Sequence, residues 1–290
     1  MSSSSQAVAE SHKGTLCRLS AFAKGSEGGN PARVWVGEEL PDAPTMQAIS
    51  RAVGFSETAF VAPLHGHGRV IRYYSPEAEV SFCGHATIAT GVVLGRDGGE
   101  GIYRLSTTVG IVPVEVRKID DEFIASLTSV EPRHKTLTEK VLNEILRLIR
   151  WQPGDVDRSI PPAIGYACAW HLIIAVKSAD RLADLNYDFE ALKVLMLKEN
   201  LTTLQLIWRE HETLIHSRNP FPVGGVGEDP ATGASAAALG GYLRDAGLVK
   251  APFRFLIRQG ETMGRPSVLM VDVPATDGIV VSGSAIDIRD

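Results

Sequence analysis

The stretch Gly227–Leu239 constrains the fold of this chain more than any other part of the sequence. It reads GEDPATGASAAAL, so an acidic pair and Pro230 are followed by small residues of high helix propensity. Because proline fixes its own φ, the stretch predicts a loop that turns sharply into a helix. The unpaired N–H groups and positive dipole end of a helix start attract anions, and a glycine there lets a ligand approach closely. We therefore expect an anion site beside the carboxylate of Asp229, which would alternatively act as a plain helix cap.

A second stretch, Phe82–Leu94, has the same character. It reads FCGHATIATGVVL, with a glycine and a polar residue before an Ala-Thr pair and a small, apolar helix. Both stretches continue into an Arg-Asp pair, Arg96-Asp97 after Phe82–Leu94 and Arg244-Asp245 after Gly227–Leu239. The distance from the Ala-Thr pair to the Arg-Asp pair is slightly longer around Gly227–Leu239, so an alignment of the two stretches needs a small insertion there. We interpret this repetition as the internal duplication of an α+β unit.

The composition is that of an ordinary soluble globular protein of one large or two medium domains. The 290 residues carry 44% hydrophobic side chains and a net charge of −5, which argues against nucleic-acid and acidic-membrane partners. No apolar run reaches the ~20 residues of a membrane-spanning helix, and residues 1–13 lack the apolar core of a signal peptide. We expect these residues to form a disordered tail. Three widely spaced cysteines argue against a disulfide framework and for the cytoplasm.

The best candidate for a boundary between the two halves is Val130–Thr138, which contains Pro132 and mixed charge. We therefore expect a first α+β half over residues 14–130, completed by a C-terminal strand within 277–290. The second α+β half is expected over residues 131–276.

The polar groups near the two helix starts predict proton chemistry. By pseudo-symmetry, two such helix starts would face one cleft and hold a small organic acid. The sequence has no phosphate-binding glycine loop of either standard pattern and no GxSxG or HExxH motif. Glu57, His85 and Asp229 remain, and they are suited to moving protons beside an anchored carboxylate, as isomerases and epimerases do. Taken alone, Glu57 would be an ordinary surface carboxylate.

The sequence contains four possible metal ligands at close spacing. These are His65, His67, Cys83 and His85, and each pair is separated by one residue. Zinc sites usually have gaps of about two to four residues within a pair, so we expect no metal. Cys83 by itself is expected to be a small buried side chain rather than a nucleophile.

Five motifs occur in order along the chain beyond the tail. They are Gly29-Asn30-Pro31, Ser56-Glu57-Thr58, Cys83–Thr87, Glu228–Gly233, and Gln259-Gly260 with Met263–Ser267. In type and order these motifs resemble the PhzF family of phenazine-biosynthesis-like proteins. The resemblance implies the diaminopimelate epimerase fold, with two pseudo-symmetric α+β halves in which a sheet wraps around a central helix.

The resemblance also implies an isomerase that needs no cofactor. In this reading Glu57 removes and returns a proton with help from His85 and Asp229. The backbone around four residues would hold the substrate carboxylate: Gly84, His85, Gly233 and Ala234. Further substrate-binding candidates lie within the shared motifs: Asn30, Ser56, Gln259 and Arg265. A homodimer is suggested by the resemblance alone.

Two departures from the family pattern bear on the chemistry. In related epimerases two cysteines transfer the proton, whereas the position matching the second cysteine here is Asp229, which argues against a two-thiol racemase. A serine is common where this chain has Ala234, followed by Ser235, so a backbone role is expected there. An amino acid racemase or epimerase and a non-catalytic small-acid-binding protein of the same fold stay open, and the family does not name the substrate.

Overall fold

The computed structural model describes residues 14–53, 57–64 and 68–288. The tail predicted over residues 1–13 lies outside the described residues, as do the candidate residues Ser56, His65 and His67.

The described residues form a mixed α+β structure, which confirms the predicted fold class. The strands are β1 (Gly14–Ala21), β2 (Asn30–Gly37), β3 (Thr58–Leu64), β4 (Gly68–Tyr74), β5 (Glu79–Val80), β6 (Gly101–Thr107), β7 (Gly110–Ile119), β8 (Glu122–Thr128), β9 (Arg133–Thr136), β10 (Ala163–Tyr166), β11 (Trp170–Val176), β12 (Thr203–His211), β13 (Leu214–Arg218), β14 (Pro220–Phe221), β15 (Val226–Glu228), β16 (Phe253–Gln259), β17 (Ser267–Val273), β18 (Val280–Gly283) and β19 (Ala285–Asp287). The helices are α1 (Ala43–Val53), α2 (Gly84–Gly98), α3 (Glu139–Leu148), α4 (Ala179–Ala183), α5 (Phe189–Lys198) and α6 (Gly233–Asp245). Short 3-10 turns lie at Pro153–Asp155, Pro222–Gly224 and Glu261–Met263.

The chain divides into two compact units. The first comprises Met1–Leu127 with Ser282–Asp290, and the second comprises Thr128–Val281. The segment Val130–Thr138, which we interpreted as the boundary between the two halves, contains strand β9, and this strand pairs antiparallel with β10. All four residues of β9 are exposed, so its sequence has no apolar alternation from which a strand is recognised.

In the first unit, strands pack around α2. This helix contacts β1, β2, β3 and β7, and β1 pairs antiparallel with both β2 and β19. A helix that is buried on most sides must be apolar or small nearly all round, and α2 is buried from Ala86 to Val92. At Gly91 a Cβ atom would lie 2.7 Å from Ala125 Cβ and 2.8 Å from Val114 Cγ1, so glycine permits the close approach of the strands.

In the second unit, α6 occupies the corresponding place. It contacts β9, β10, β11 and β17, and its residues from Ser235 to Leu243 are buried. A separate hydrophobic cluster lies under α3 and α5 and includes Ile145, Trp151 and Met196. Each unit therefore places a helix made of small residues among its strands. No helix in the described part of the chain is long and apolar enough to cross a membrane.

Candidate active site

The first group of candidate residues lies at the start of α2 in the first unit. Cys83 is the N-cap residue with extended backbone angles, His85 is the second helical residue, and Glu57 immediately precedes β3. His85 Nε2 lies 3.4 Å from Glu57 Oε2, and Cys83 Sγ lies 3.5 Å from His85 Nδ1. One side-chain atom from each of the three residues lies within 4.8 Å of the others. We call these three residues the Glu57 cluster.

The Glu57 cluster is largely shielded from water. The side chain of His85 is 11% exposed and that of Glu57 is 23% exposed. Glu57 Oε2 is itself buried and accepts no hydrogen bond among the described residues. A carboxylate and an imidazole held side by side in this way are two groups that can each accept and return a proton.

A hydrogen-bonded chain fixes the start of α2. Thr87 Oγ1 donates to the carbonyl oxygen of Cys83 at 2.6 Å and lies 2.6 Å from the hydroxyl oxygen of Tyr73. Burial raises the pKa of Tyr73 well above its ordinary value, so its phenol stays protonated. At Gly84 a Cβ atom would meet no described atom within 4 Å, so a ligand has room to approach the backbone there.

The second group of candidate residues lies at the start of α6 in the second unit. The hydroxyl of Thr232, the N-cap residue, donates to Asp229 Oδ2 at 2.5 Å. Gln259 Nε2 donates to the carbonyl oxygen of Asp229 at 2.7 Å and to Thr232 Oγ1 at 3.1 Å. We call Asp229, Thr232 and Gln259 the Asp229 cluster. Gly233 and Ala234 follow as the first two residues of the helix, so their backbone N–H groups belong to the same helix start.

Buried polar residues that the sequence did not single out support this second helix start. Asn219 Nδ2 donates to Ser235 Oγ at 2.7 Å, and Ser235 Oγ donates to the carbonyl oxygen of Thr232 at 3.0 Å. The carbonyl oxygen of Asn219 accepts from the backbone N–H of Asp229 at 3.0 Å. Asn219 and Ser235 are both fully buried. A buried asparagine has no signature in one sequence, although Asn219 stands before Pro220 as a turn residue often does.

An ion pair holds the residue next to Asp229. Arg218 Nε donates to Glu228 Oε1 at 2.9 Å, and Arg218 Nη2 lies 2.5 Å from Glu228 Oε2. Two parallel bonds of this kind fix both position and orientation of the carboxylate. Glu228 is thus a structural partner of Arg218, although the sequence placed it beside Asp229 as an acidic pair.

The remaining predicted residues lie in turns or at strand ends. Asn30 is buried at the start of β2, opposite Ala21 of β1. Arg265 is exposed, and its backbone N–H donates to the carbonyl oxygen of Gly260 at 3.0 Å. Gly260 has φ +74°, and a Cβ atom there would lie 2.3 Å from the carbonyl oxygen of Arg265. The motif from Gln259 to Ser267 is therefore a glycine-dependent turn that keeps Gln259 against Asp229.

Two α+β units with titratable groups at the starts of small-residue helices are the arrangement of an epimerase-like fold. The family of phenazine biosynthesis-like proteins, PhzC-PhzF, matches residues 19–290. The chain therefore belongs to this family, as its motifs predicted.

The chain is also similar over most of its length to relatives that are named isomerases. The chain is 30% identical over 256 residues to trans-2,3-dihydro-3-hydroxyanthranilate isomerase of Pseudomonas fluorescens, covering 87% of each chain. It is 26% identical over 283 residues to the isomerase YfhB of Bacillus subtilis, covering 93% of this chain and 95% of that one. These comparisons support an isomerase or epimerase.

A solved structure confirms the fold. The phenazine biosynthesis protein of the PhzF family from Bacillus anthracis superimposes with a TM-score of 0.84 at 22% identity, over 94% of this chain and 96% of that chain.

Proposed function

We propose that this chain is a cofactor-independent isomerase that moves a proton on a small organic acid, with Glu57 as the general base. The observation that carries the proposal is the partly buried contact of 3.4 Å between Glu57 Oε2 and His85 Nε2 at the start of α2. General acid/base catalysis needs a positioned group that both accepts and returns a proton, and a carboxylate paired with an imidazole supplies this.

The roles follow from the chemistry of each group. Glu57 takes a proton from carbon, the electron pair is delocalised within the substrate, and the proton returns at another position, so no electron acceptor is consumed. His85 stabilises or carries the proton while it is off the substrate. The helix start at Gly84 provides N–H groups and a dipole for the substrate carboxylate. Asp229, held by Thr232 and Gln259, is proposed as a second polar group that the reaction needs.

The substrate class proposed is a small cyclic or amino acid carboxylate. The relative from Pseudomonas fluorescens is named as an isomerase of trans-2,3-dihydro-3-hydroxyanthranilate, and its match covers 87% of this chain. An anthranilate carries an amino group and a carboxylate on one ring. A carboxylate is also the anion that a helix start accommodates. A cytoplasmic location and a homodimer stay predictions, and light scattering of the purified protein tests the dimer.

Solvent-isotope exchange tests the proposal. The purified chain would be incubated in deuterated water with a panel of carboxylates that includes trans-2,3-dihydro-3-hydroxyanthranilate, and mass spectrometry would follow the gain of deuterium. We expect exchange with the native chain and with Glu77→Gln, a matched control at an exposed carboxylate of the same unit. We expect exchange to be slower by about 10²–10⁴-fold with Glu57→Gln. Ligand binding without exchange for every compound would instead indicate a non-catalytic small-acid-binding protein.

A further inference from the structure

The Glu57 cluster joins three side chains that are also good ligands for zinc. Zn²⁺ binds thiolate sulfur at about 2.3 Å, imidazole nitrogen at about 2.0–2.1 Å and carboxylate oxygen at about 2.0–2.2 Å in a tetrahedral arrangement. Such bond lengths place neighbouring ligand atoms roughly 3.3–3.7 Å apart. In the structure, Glu57 Oε2 lies 3.4 Å from His85 Nε2, within this range. Cys83 Sγ lies 3.5 Å from Nδ1 and 3.8 Å from Nε2 of the same ring, so the Cys83 side chain must rotate slightly toward Nε2 to bind the same ion.

The burial of the Glu57 cluster and its hydrogen bonding make its three side chains suitable ligands for a cation. Cys83 is 8% exposed, so a thiolate there would be shielded from competing water. Glu57 Oε2 is buried and accepts no hydrogen bond among the described residues, so it offers an unused lone pair toward His85. The remaining exposure of Glu57 leaves a route for an ion from solvent. The mixture of thiol, imidazole and carboxylate favours Zn²⁺ over Mg²⁺ or Ca²⁺, which prefer oxygen ligands.

The sequence argued against zinc because one residue, rather than about two to four, separates the possible ligands of each pair. One residue separates Cys83 from His85, but the extended N-cap residue and the second helical residue still bring Sγ within reach of the imidazole. The third ligand, Glu57, comes from a distant part of the chain, which a search for closely spaced pairs does not detect.

We propose that Cys83, His85 and Glu57 form a three-ligand Zn²⁺ site whose occupation inhibits the enzyme. Binding forms bonds from the metal to sulfur, nitrogen and oxygen, releases the thiol proton to solvent, and leaves the fourth position to a water molecule. The lone pairs of Glu57 Oε2 and His85 Nε2 are then held by the metal and no longer accept a proton from substrate. The inhibitory effect rests on the proposed isomerase function, whereas the site itself does not.

Metal binding is tested first, without reference to activity. The metal-free full-length chain would be titrated with Zn²⁺ against a chromophoric chelator, and with Co²⁺ to detect the absorption of a cobalt–thiolate bond. We expect one Zn²⁺ per chain and a cobalt–thiolate band. Cys83→Ser should lose the band and weaken zinc binding at least about tenfold, since even partners of metal ligands contribute about 10–100-fold. Cys168→Ser, which removes an exposed thiol of the second unit, should bind as the native chain does.

Inhibition is tested second, by deuterium exchange on an identified substrate. Equimolar Zn²⁺ should suppress exchange by the native chain, and a chelator should restore it. The ratio of exchange rates with and without zinc should be closer to one in Cys83→Ser than in the native chain. If zinc binds through Cys83 but no substrate exchanges, the proposed function fails and the site stands. Two results with the native chain would overturn the inference: no cobalt–thiolate band, or exchange activity that equimolar zinc leaves unchanged. Both results are independent of whether Cys83→Ser folds.

Discussion

At the scale of single residues, the chemistry depends on what surrounds each polar atom. Glu57 and Glu77 are both carboxylates of the first unit, but Glu77 is exposed, whereas Glu57 Oε2 is buried 3.4 Å from an imidazole nitrogen. A general base must be held in a fixed position, and the contact with His85 together with burial gives Glu57 such a position. The difference between the two residues is therefore one of environment.

Replacement of Glu57 by glutamine keeps the shape of the side chain and removes its ability to accept a proton. A positioned acid or base typically contributes ~10²–10⁴-fold to rate, so turnover should fall by about that factor while ligand binding changes little. The measurement is the rate of deuterium exchange together with ligand affinity by calorimetry. Near-native turnover of Glu57→Gln would refute its role as the base.

Asp229 should respond differently to the same kind of change. Asp229→Asn removes the charge but leaves an oxygen that accepts from the hydroxyl of Thr232, so the local structure should persist. If Asp229 orients other groups, this variant should lose less turnover than Glu57→Gln. A variant that is inactive while Glu57→Gln is active would reverse the two roles.

His171 gives a prediction about pH and stability. The residue is completely buried, its Nδ1 lies 2.8 Å from Thr203 Oγ1, and burial lowers the pKa of His171 to about 3. The unfolded chain has an ordinary histidine pKa of about 6.5, so between about pH 6.5 and about pH 3 the unfolded state binds a proton that the folded state does not. This contribution to the free energy of unfolding is present above pH 6.5 and is lost as pH falls through this window, by up to about 1.4 kcal/mol per pH unit.

The variant His171→Asn isolates that contribution. The amide can keep the bond to Thr203 but does not titrate, so the free energy of unfolding should depend less steeply on pH below about 6.5. Urea unfolding at several pH values measures the slope, and His211→Asn at an exposed histidine serves as the control. Equal slopes in native protein and His171→Asn would show that His171 is not neutral in the folded state.

At the scale of elements, the two small-residue helices explain what the sequence predicts well. The run Ala234–Leu239 consists mostly of residues with high helix propensity, and the structure begins α6 at Gly233 and continues it to Asp245. By contrast, β9 was missed because all four of its residues are exposed, and β10 was missed because only four residues, Ala163–Tyr166, take part. Their pairing with each other is a tertiary contact that local propensity does not encode.

The packing of α2 can be tested at Gly91. Alanine has the higher helix propensity by about 0.8–1.0 kcal/mol, yet its methyl group would lie 2.7 Å from Ala125 Cβ. Overpacking of a close-packed core typically costs ~1–3 kcal/mol, so Gly91→Ala should lower the free energy of unfolding. The matched control is Gly84→Ala in the same helix, because the added Cβ atom there would meet no described atom of another element within 4 Å. Denaturant titration should show a loss for Gly91→Ala alone, and an equal effect at both sites would contradict the packing account.

At the scale of the whole molecule, the motifs in order predicted the family and the α+β architecture, because five short sequences together are specific where each alone is not. The sequence predicted only part of the Glu57 cluster. Glu57 and His85 were found through their motifs, but the approach of Cys83 to both, within 4.8 Å, follows from the path of the backbone. Asn219 and Ser235 could not be predicted as supports of α6, since their role depends on complete burial.

The division into units gives the last prediction. The first unit is discontinuous, because Ser282–Asp290 belongs with Met1–Leu127, whereas the second unit is the single stretch Thr128–Val281. Within the first unit, β19 pairs with β1 through Ala285, Ile286 and Asp287. Removal of residues 284–290 would leave the β1 backbone groups that face β19 without strand partners and would expose apolar surface of the first unit.

We expect this truncation to lower the thermal stability of the first unit by at least a few degrees and to leave the second unit nearly unchanged. Calorimetry should then show the first unit unfolding at a lower temperature than it does in the native chain, and limited proteolysis should cut the first unit sooner. Asp287→Asn is the control, since it removes only the exposed pair with Arg96, and exposed ion pairs contribute about 0–1 kcal/mol. A truncated chain whose transitions match those of the native chain, or a control that loses as much stability as the truncation, would show that β19 does not complete the first unit.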